Sequence, residues 1–331
     1  MGNIVTPFKQ EQPSFAYQPL TVPLLSVEAQ NENLRVFRFT DLKKATKNFK
    51  RDRVVVCEDC SVREFYKGYL DETTFAPSRT GTGLAVSVME LEYYRSSCSL
   101  EEWMEIVKSL GHISHPNLVK LLGYCCEDNK SLFLVFEYSH RVPLDSHFFG
   151  KDEEEALPWE IRIKIATGTA QALAFLHSFN TLPINREIRM HNIMLDEQYN
   201  VKLLYLDSNK QHRLVDEGRH AGIFKCIPPE SESSGCFVME SDVYIFGVIL
   251  LELLTGSRYE GFLKWIIKNR QSLDNHKIAE IIDPRLGNLY PADAVTQMGK
   301  LIYRCTEHDK KKRPLMQQVL DVLNYIAEIK D

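Results

Sequence analysis

Ser241–Gly256 reads SDVYIFGVILLELLTG and contains the longest apolar run of the chain, which Glu252 interrupts. A helix that crosses a bilayer needs about 20 apolar residues, and this run is shorter. We therefore interpret it as a helix buried inside a globular domain. The chain of 331 residues is long enough for two modest domains, or for one large bilobal domain with a hydrophobic core.

Composition narrows the function only slightly. Hydrophobic residues make up 44% of the chain and charged residues 26%, which are ordinary values for a globular protein. The formal net charge is −5 and no strongly basic block is present, so nucleic acid is not an expected partner. The eight cysteines have no repeating spacing, and no Cys/His pair near Cys57 and Cys60 completes a metal site, so free thiols without metal are expected.

The apolar pattern changes along the chain from strand-like to helical. A short helix is expected at Phe39–Phe49, with Thr40 as its N-cap. Strands are expected at Val54–Val56, Arg63–Leu70, Gly83–Leu91, Leu118–Tyr124 and Leu132–Tyr138, with a helix at Leu100–Leu110 among them. Beyond Pro158, helices are expected at Trp159–His177, Ser241–Thr255, Gly261–Arg270, Ala292–Cys305 and Pro314–Ile329, with a strand-and-turn region at Asn185–Leu206. The pattern predicts an α+β chain with two unequal lobes.

Several motifs in order carry a resemblance to a known family. They are Phe39–Phe49 (FTDLKKATKNF), Ser114–Cys125 (SHPNLVKLLGYC), Asn192–Asp196 (NIMLD), Pro228–Glu230 (PPE), Ser241–Gly247 (SDVYIFG), Ile282–Leu286 (IDPRL) and Lys312–Pro314 (KRP). From about Leu34 to Ile329 the chain resembles a plant receptor-like cytoplasmic kinase. The resemblance implies a bilobal protein-kinase-like fold with an N-lobe at about 36–138 and a C-lobe at about 139–329.

Phosphoryl transfer requires groups that position and neutralise phosphates, and the resemblance allows each to be checked. A glycine-rich loop normally brings the backbone close to the phosphates, because glycine has no side chain in the way. In this sequence Glu58, Cys60 and Arg63 stand at the three glycine positions, counted back from Tyr66–Gly68. We therefore do not expect this loop to hold a triphosphate.

The ion pair that contacts the α- and β-phosphates is also missing. Ser87 ends the run Leu84–Ser87, where the family has a lysine, and Ile106 stands where the regulatory helix has a glutamate. Glu105 is one residue away, which on a helix is about 100° in another direction. Lys67 is a conceivable substitute, but members with intact sites also have a lysine there.

The catalytic loop and the metal site are changed as well. Glu187 replaces the catalytic aspartate, Arg189 the loop lysine, and Asn192 alone is retained among the metal ligands. Tyr205 stands thirteen residues after Asn192, where the magnesium-binding aspartate is expected. Asp207 would take that role only if the strand slipped by two residues. One neutral amide cannot replace the missing carboxylate, so neither Mg²⁺ nor ATP is expected to bind.

The scaffold positions of the family are retained. The resemblance assigns Asp242 to the buried aspartate that holds the catalytic loop, and Glu230 with Arg313 to an ion pair of the C-lobe. Glu137 and Tyr138 take the place of the hinge between the lobes. Together with the changed catalytic positions, these residues predict a kinase-fold protein that is catalytically inactive, a pseudokinase.

The N-terminal tail, residues 1–35, carries a candidate lipidation site. After removal of Met1, Gly2 with Thr6 fits the pattern for N-myristoylation. We therefore expect a protein at the cytoplasmic face of the plasma membrane, and partly in the cytosol. A single myristoyl chain binds membranes only marginally, and up to about Asn33 the tail offers Lys9 as its only base.

The resulting hypothesis is a membrane-associated adaptor or decoy in plant receptor or immune signalling. Its partners would be receptor kinases or intracellular immune receptors, reached by analogy within the family. Two alternatives remain open from the residues. One is an atypical serine/threonine kinase that uses Glu187, Asn192 and Asp207, and the other is a nucleotide sensor that binds ATP without turnover.

Overall fold

In the computed structural model, residues 33–331 belong to one structural unit, which holds two sheets and a set of helices. The structure describes residues 34–56, 62–79, 81–91, 107, 111, 113–127, 132–138, 142–149, 156–179, 188–205, 228–234, 238–258, 278, 280–287 and 289–330. Two expected helices, Leu100–Leu110 and Gly261–Arg270, lie outside these residues except for Val107. None of the helices in the described ranges is both long and apolar enough to span a bilayer.

The N-terminal lobe contains a six-stranded sheet. Its strands lie in the order β1 (Arg35–Val36), β5 (Leu121–Cys125), β6 (Leu132–Glu137), β4 (Leu84–Leu91), β3 (Val62–Leu70) and β2 (Arg51–Val56). Neighbours from β5 through β2 pair antiparallel, whereas the short β1 pairs parallel with β5. The strands expected from the sequence are therefore confirmed, with ends that differ by a few residues.

Alternating side chains bury both faces of this sheet, as the two-residue period of a strand requires. One face packs against helix α1 (Phe39–Ala45), and Val86, Val88 and Val135 belong to that cluster. The other face joins the large core that continues into the C-terminal lobe. This second face forms the roof of the cleft between the lobes.

Helix α1 is shorter than the sequence predicts and begins differently. Its N-cap is Arg38, so the expected cap at Thr40 is wrong, and the helix ends before Thr46. Thr46 donates its hydroxyl to Leu42 O at 2.7 Å. The next residues, Lys47, Asn48 and Phe49, all have positive φ angles between 53° and 63°, which ends the helix and reverses the chain.

The C-terminal lobe combines a small sheet with the helices. The sheet has the order β7 (Val142–Pro143), β8 (Ile193–Leu195) and β9 (Val201–Leu203). The helices are α2 (Leu144–Phe149), α3 (Trp159–His177), α4 (Pro229–Ser234), α5 (Met239–Thr255), α6 (Ala292–Cys305) and α7 (Met316–Glu328). Short 3₁₀ turns occupy Met190–Asn192, Pro284–Leu286 and Lys310–Lys312.

Helix α5 forms the centre of this lobe, as its apolar sequence predicts. Every residue from Ser241 to Thr255 is buried, Glu252 included. The helix ends at Gly256, which has φ of 64°, and a Cβ atom there would lie 2.1 Å from Asp283 Oδ2. Glycine is required at this position both by the backbone conformation and by the close approach of Asp283.

Candidate functional site

The roof of the cleft presents one row of side chains across three strands. In this row Lys67 on β3 lies opposite Ser87 on β4, and Ser87 lies opposite Phe136 on β6. Residues directly opposite on antiparallel strands share a face, so these three side chains belong to the same surface. Phe65 and Met89 lie on the same face and are 2% and 1% exposed. The cleft is therefore roofed by large buried apolar side chains, one small hydroxyl and the half-buried Lys67.

Ser87 stands at the position that the resemblance assigns to the phosphate-binding lysine. It is buried, with 7% of its surface exposed. A serine hydroxyl carries no charge, so it cannot neutralise a phosphate as an ammonium group does. The position is thus occupied by a side chain that is too short and has the wrong chemistry.

Lys67 directs its ammonium group towards two tyrosine rings. Its Nζ atom lies 3.9 Å from the centre of the Tyr138 ring and 5.7 Å from that of Tyr69. Burial alone would lower the pKa of Lys67, but interactions with the two tyrosine hydroxyls outweigh it and raise the pKa. The lysine is therefore charged and held at the hinge end of the cleft.

The hinge residue Glu137 is held by groups from both lobes. Its carboxylate pairs with the Lys202 ammonium group of β9, and its Oε1 accepts from Lys120 N at 3.2 Å. The following residue, Tyr138, donates its backbone N–H to Ala85 O at 3.1 Å. These bonds join the sheet of the N-terminal lobe to the small sheet of the C-terminal lobe.

The floor of the cleft brings Asn192 close to Tyr205 in the backbone. Leu204 N donates to Asn192 O at 2.8 Å, which places the residue after Leu204 beside the end of the catalytic loop. Asn192 is buried, and Arg189 precedes the 3₁₀ turn as its N-cap. The spacing of thirteen residues thus corresponds to real proximity across β8 and β9.

Tyr205 fills the place of a metal ligand with a buried phenol. The residue is 6% exposed, and within the described ranges its hydroxyl has no hydrogen-bond partner. Burial raises its pKa, so the hydroxyl stays protonated at physiological pH. A neutral phenol is a poor ligand for Mg²⁺, which prefers carboxylates and water. No group of three His, Cys, Asp or Glu side chains suited to a metal occurs in the part of the chain that the structure describes.

Other predicted site positions lie outside the described residues. These are Gly2, Glu58, Cys60, Ile106, Glu187 and Asp207. Arg63 is described by its backbone alone and pairs with Val55 across β2 and β3. The glycine-loop substitutions, the missing helix glutamate and the altered base therefore remain predictions from the sequence.

The C-lobe ion pair is present and fully hydrogen-bonded. Arg313 binds Glu230 through two parallel contacts, Nη1 to Oε1 at 2.7 Å and Nη2 to Oε2 at 2.8 Å. Ser241 donates its hydroxyl to the same carboxylate at 2.8 Å. Although burial opposes ionisation, the Arg313 and Ser241 bonds lower the pKa of Glu230. The two residues join helix α4 to the turn before α7.

Asp242 is completely buried at the start of helix α5. Its Oδ2 lies 2.9 Å from Nε2 of His177, the last residue of α3. The contact links two central helices of the lobe, α3 and α5. The burial expected for this aspartate from the family resemblance is therefore found.

A second buried ion pair was not predicted from the sequence. Arg162 on α3 donates to Asp283 Oδ2 at 2.5 Å, and both side chains are 2% exposed. Arg285 also binds Asp283, with Nε 2.9 Å from Oδ1. The only signal was the motif Ile282–Leu286, which contains two of the three partners but gives no indication of Arg162.

Comparison with known proteins agrees with this geometry. Residues 60–323 match the profile of the family described as protein tyrosine and serine/threonine kinase. The chain belongs to this family. Two solved pseudokinase structures share the fold, each at 24% identity over 90% of this chain. The apo GRMZM2G135359 pseudokinase has a TM-score of 0.65, and the match covers 95% of its chain. DRIK1 (drought responsive inactive kinase 1) bound to ENMD-2076 has a TM-score of 0.64, and the match covers 98% of its chain.

The most informative relatives are plant proteins. The inactive serine/threonine-protein kinases BKN1 and BKN2 of Arabidopsis thaliana are 62% and 56% identical to this chain, and the alignments cover all of both chains. Receptor-like cytoplasmic kinase 176 of Oryza sativa subsp. japonica is 34% identical, over 90% of this chain and 78% of that protein. These findings confirm the predicted fold and family, and the prediction that this member is an inactive kinase rather than an enzyme.

Proposed function

We propose that this pseudokinase acts as an adaptor or decoy, a protein that binds other signalling proteins at a membrane without transferring phosphate. The single observation that carries the proposal is the contrast between the cleft and the scaffold. Ser87 and Tyr205 are buried side chains in place of the two charged ligands, whereas the ion pair Glu230–Arg313 is complete.

The cleft residues argue against a catalytic role on energetic grounds. Kinases lower the barrier to phosphoryl transfer almost entirely by positioning and by neutralising charge. Losing one preorganised charged or donor group typically reduces the rate by about 10²–10³-fold. Ser87 and Tyr205 each replace such a group, so the combined loss leaves no useful rate.

The scaffold argues for a binding role that needs a stable kinase shape. A buried ion pair is costly to leave half-made, because the remaining charge has no partner. The described part of the C-terminal lobe contains two such pairs, Glu230–Arg313 and Arg162–Asp283, both with short contacts. These interactions maintain a folded surface that can bind partners, and they take no part in a reaction.

The proposed setting is plant receptor or immune signalling at the cytoplasmic face of the plasma membrane, with a partly cytosolic population. Myristoylation of Gly2 would supply the lipid anchor. The proposed partners are receptor kinases or intracellular immune receptors, since the relatives include a receptor-like cytoplasmic kinase. ATP and Mg²⁺ are not part of the proposed function.

The proposal is tested by comparing the complexes that three full-length forms assemble in plant cells. Wild type, Gly2→Ala and Glu187→Gln are fractionated, and their cross-linked partners are quantified. We expect Gly2→Ala to leave the membrane fraction and lose its partners, and Glu187→Gln to keep the wild-type set. Unchanged fractionation of Gly2→Ala would refute the lipid anchor. Loss of the complexes in Glu187→Gln would favour the atypical kinase.

A further inference from the structure

The N-terminal lobe presents a strongly basic surface formed by Lys43, Lys44, Lys47 and Lys50, here called the lysine surface. All four side chains are exposed on helix α1 and the turn that follows it. The span 35–51 contains seven basic residues and one acidic residue, although the whole chain has a net charge of −5. The positive charge is therefore concentrated on one local structure of an otherwise acidic protein.

The backbone that carries the lysine surface is fixed. Asn48 N donates to Lys43 O at 2.7 Å, which folds the turn back onto the end of the helix. Phe49 then packs between aromatic rings, 5.3 Å from Phe39 and 5.1 Å from Phe133 between ring centres. The four lysines thus extend from a rigid base, so little backbone freedom is lost when they bind a partner.

The neighbouring arginines are engaged, whereas the lysines are available. Arg38 pairs with Asp41 at 2.8 Å, Arg51 pairs with Glu64 at 2.6 Å, and Arg35 lies 4.0 Å above the Phe75 ring. By contrast, within the described ranges no carboxylate lies at ion-pair distance from the four lysines of the lysine surface. Their charges are free to attract an external anionic partner.

We propose that the lysine surface binds the anionic headgroups of the membrane that the myristoylated protein reaches. The inference rests on the proposed membrane location and adds the second signal that a single acyl chain requires. Lysines are depleted from protein interfaces, where aromatic and arginine anchors dominate. Here the interleaved apolar residues Leu42, Ala45 and Phe49 pack inwards against the sheet, so the surface offers charge without an apolar anchor. Such a surface is better suited to binding a bilayer than to binding an acidic protein.

Vesicle sedimentation of the full-length, myristoylated protein tests this proposal. The vesicles are made of phosphatidylcholine alone or with about a third of phosphatidylserine. A lysine near an anionic bilayer strengthens binding by about fivefold, so Lys43→Gln, Lys44→Gln, Lys47→Gln and Lys50→Gln combined should weaken binding to the anionic vesicles by about 600-fold. Binding to neutral vesicles should stay unchanged, and added salt should remove the difference.

The matched control removes four exposed lysines of the other lobe, Lys300, Lys311, Lys312 and Lys330, by the same substitution to glutamine. We expect this control to bind anionic vesicles within about threefold of wild type, once circular dichroism has shown that both quadruple variants are folded. Equal weakening by both variants would mean that net charge alone matters and would overturn the proposal. Wild-type binding by the lysine-surface variant would also overturn it, and would leave an acidic protein as the partner to test.

The design separates this proposal from the lipid anchor. Gly2→Ala is measured with and without the lysine-surface substitutions. If Gly2→Ala binds as wild type does, the anchor fails, while preference for anionic vesicles that depends on the four lysines still supports the lysine surface. If Gly2→Ala weakens binding, but the lysine substitutions change neither the binding of wild type nor that of Gly2→Ala, the proposal for the lysine surface is refuted. The lipid anchor is then supported.

Discussion

Replacing Asp283 with alanine should destabilise the C-terminal lobe strongly. Arg162 and Asp283 are both 2% exposed, and the guanidinium makes three contacts: Asp283 Oδ2 at 2.5 Å, and Leu157 O and Leu253 O at 2.7 Å each. Removing the carboxylate leaves a buried cation that is hydrogen-bonded only to the carbonyls of Leu157 and Leu253, with the centre of the Phe148 ring 5.3 Å from Arg162 Cζ. Breaking a buried pair in this way typically costs about 3–5 kcal/mol.

Equilibrium unfolding in urea measures this loss at neutral pH. With a slope of about 3 kcal/mol per molar urea, the midpoint of Asp283→Ala should fall by at least about 1 M. The control is Asp41→Ala, which breaks the exposed pair with Arg38, whose side chain is 75% exposed. Exposed pairs contribute about 0–1 kcal/mol, so the control should shift the midpoint by less than about 0.4 M. Equal shifts in the two variants would refute the reasoning from burial.

Three further predictions concern other described residues. Glu230→Gln should lower the free energy of unfolding at pH 7, and its difference from wild type should shrink on acidification. A carboxyl whose folded-state pKa is lowered stabilises the protein above its ordinary pKa of about 4.5, and this stabilisation is lost as the pH falls through the folded-state pKa. A difference that stays constant from pH 7 to 3 in urea titrations would contradict this. Tyr205→Phe should leave the stability unchanged or raise it by up to about 1 kcal/mol, since it removes a buried hydroxyl without a described partner. By comparison, Tyr66→Phe should lower the stability by about 1 kcal/mol, because it removes the 3.0 Å hydrogen bond to Glu64. A clear loss of stability in thermal melts of Tyr205→Phe would show that its hydroxyl is hydrogen-bonded. Gly256→Ala should cost at least about 2 kcal/mol, because its φ is 64° and its Cβ would meet the Asp283 carboxylate at 2.1 Å, and a melting temperature equal to that of wild type would contradict the geometry.

Much of the fold followed from patterns that the sequence displays locally. The helix Trp159–His177 has the predicted ends because apolar residues recur along its whole length after Pro158. Helix α1 was predicted too long, because the positive φ angles of Lys47, Asn48 and Phe49 are not encoded by glycine. Packing of Phe49 against the sheet outweighs the local preference for helix in that turn.

The candidate site divides in the same way. Ser87 and Tyr205 were located by counting from neighbouring motifs, and the structure buries both in the cleft. The hydrogen bonding of their side chains was not predictable from the sequence. Whether the Tyr205 hydroxyl has a partner among the described residues depends on which elements pack around it. The pair Arg162–Asp283 joins residues 121 positions apart, and no local pattern indicates which distant groups meet.

The lysine surface illustrates a further limit. Lys43 and Lys44 are adjacent in the chain, but apolar and polar residues separate them from Lys47 and Lys50, so the four lysines form no continuous block. Only the folded helix and turn show that Lys43, Lys44, Lys47 and Lys50 are all exposed while Leu42 and Ala45 are buried. Charge patches of this kind depend on which residues face the solvent, and this is a property of the fold.

The predicted absence of nucleotide binding is tested most directly by the melting temperature of the full chain with ATP and Mg²⁺. A ligand at about 1 mM with a dissociation constant of about 10 µM would stabilise the folded state by roughly 2.7 kcal/mol. That corresponds to a rise of several degrees for a domain of this size. We predict no change beyond about 1 °C, with or without Mg²⁺. A magnesium-dependent rise of several degrees would contradict the account.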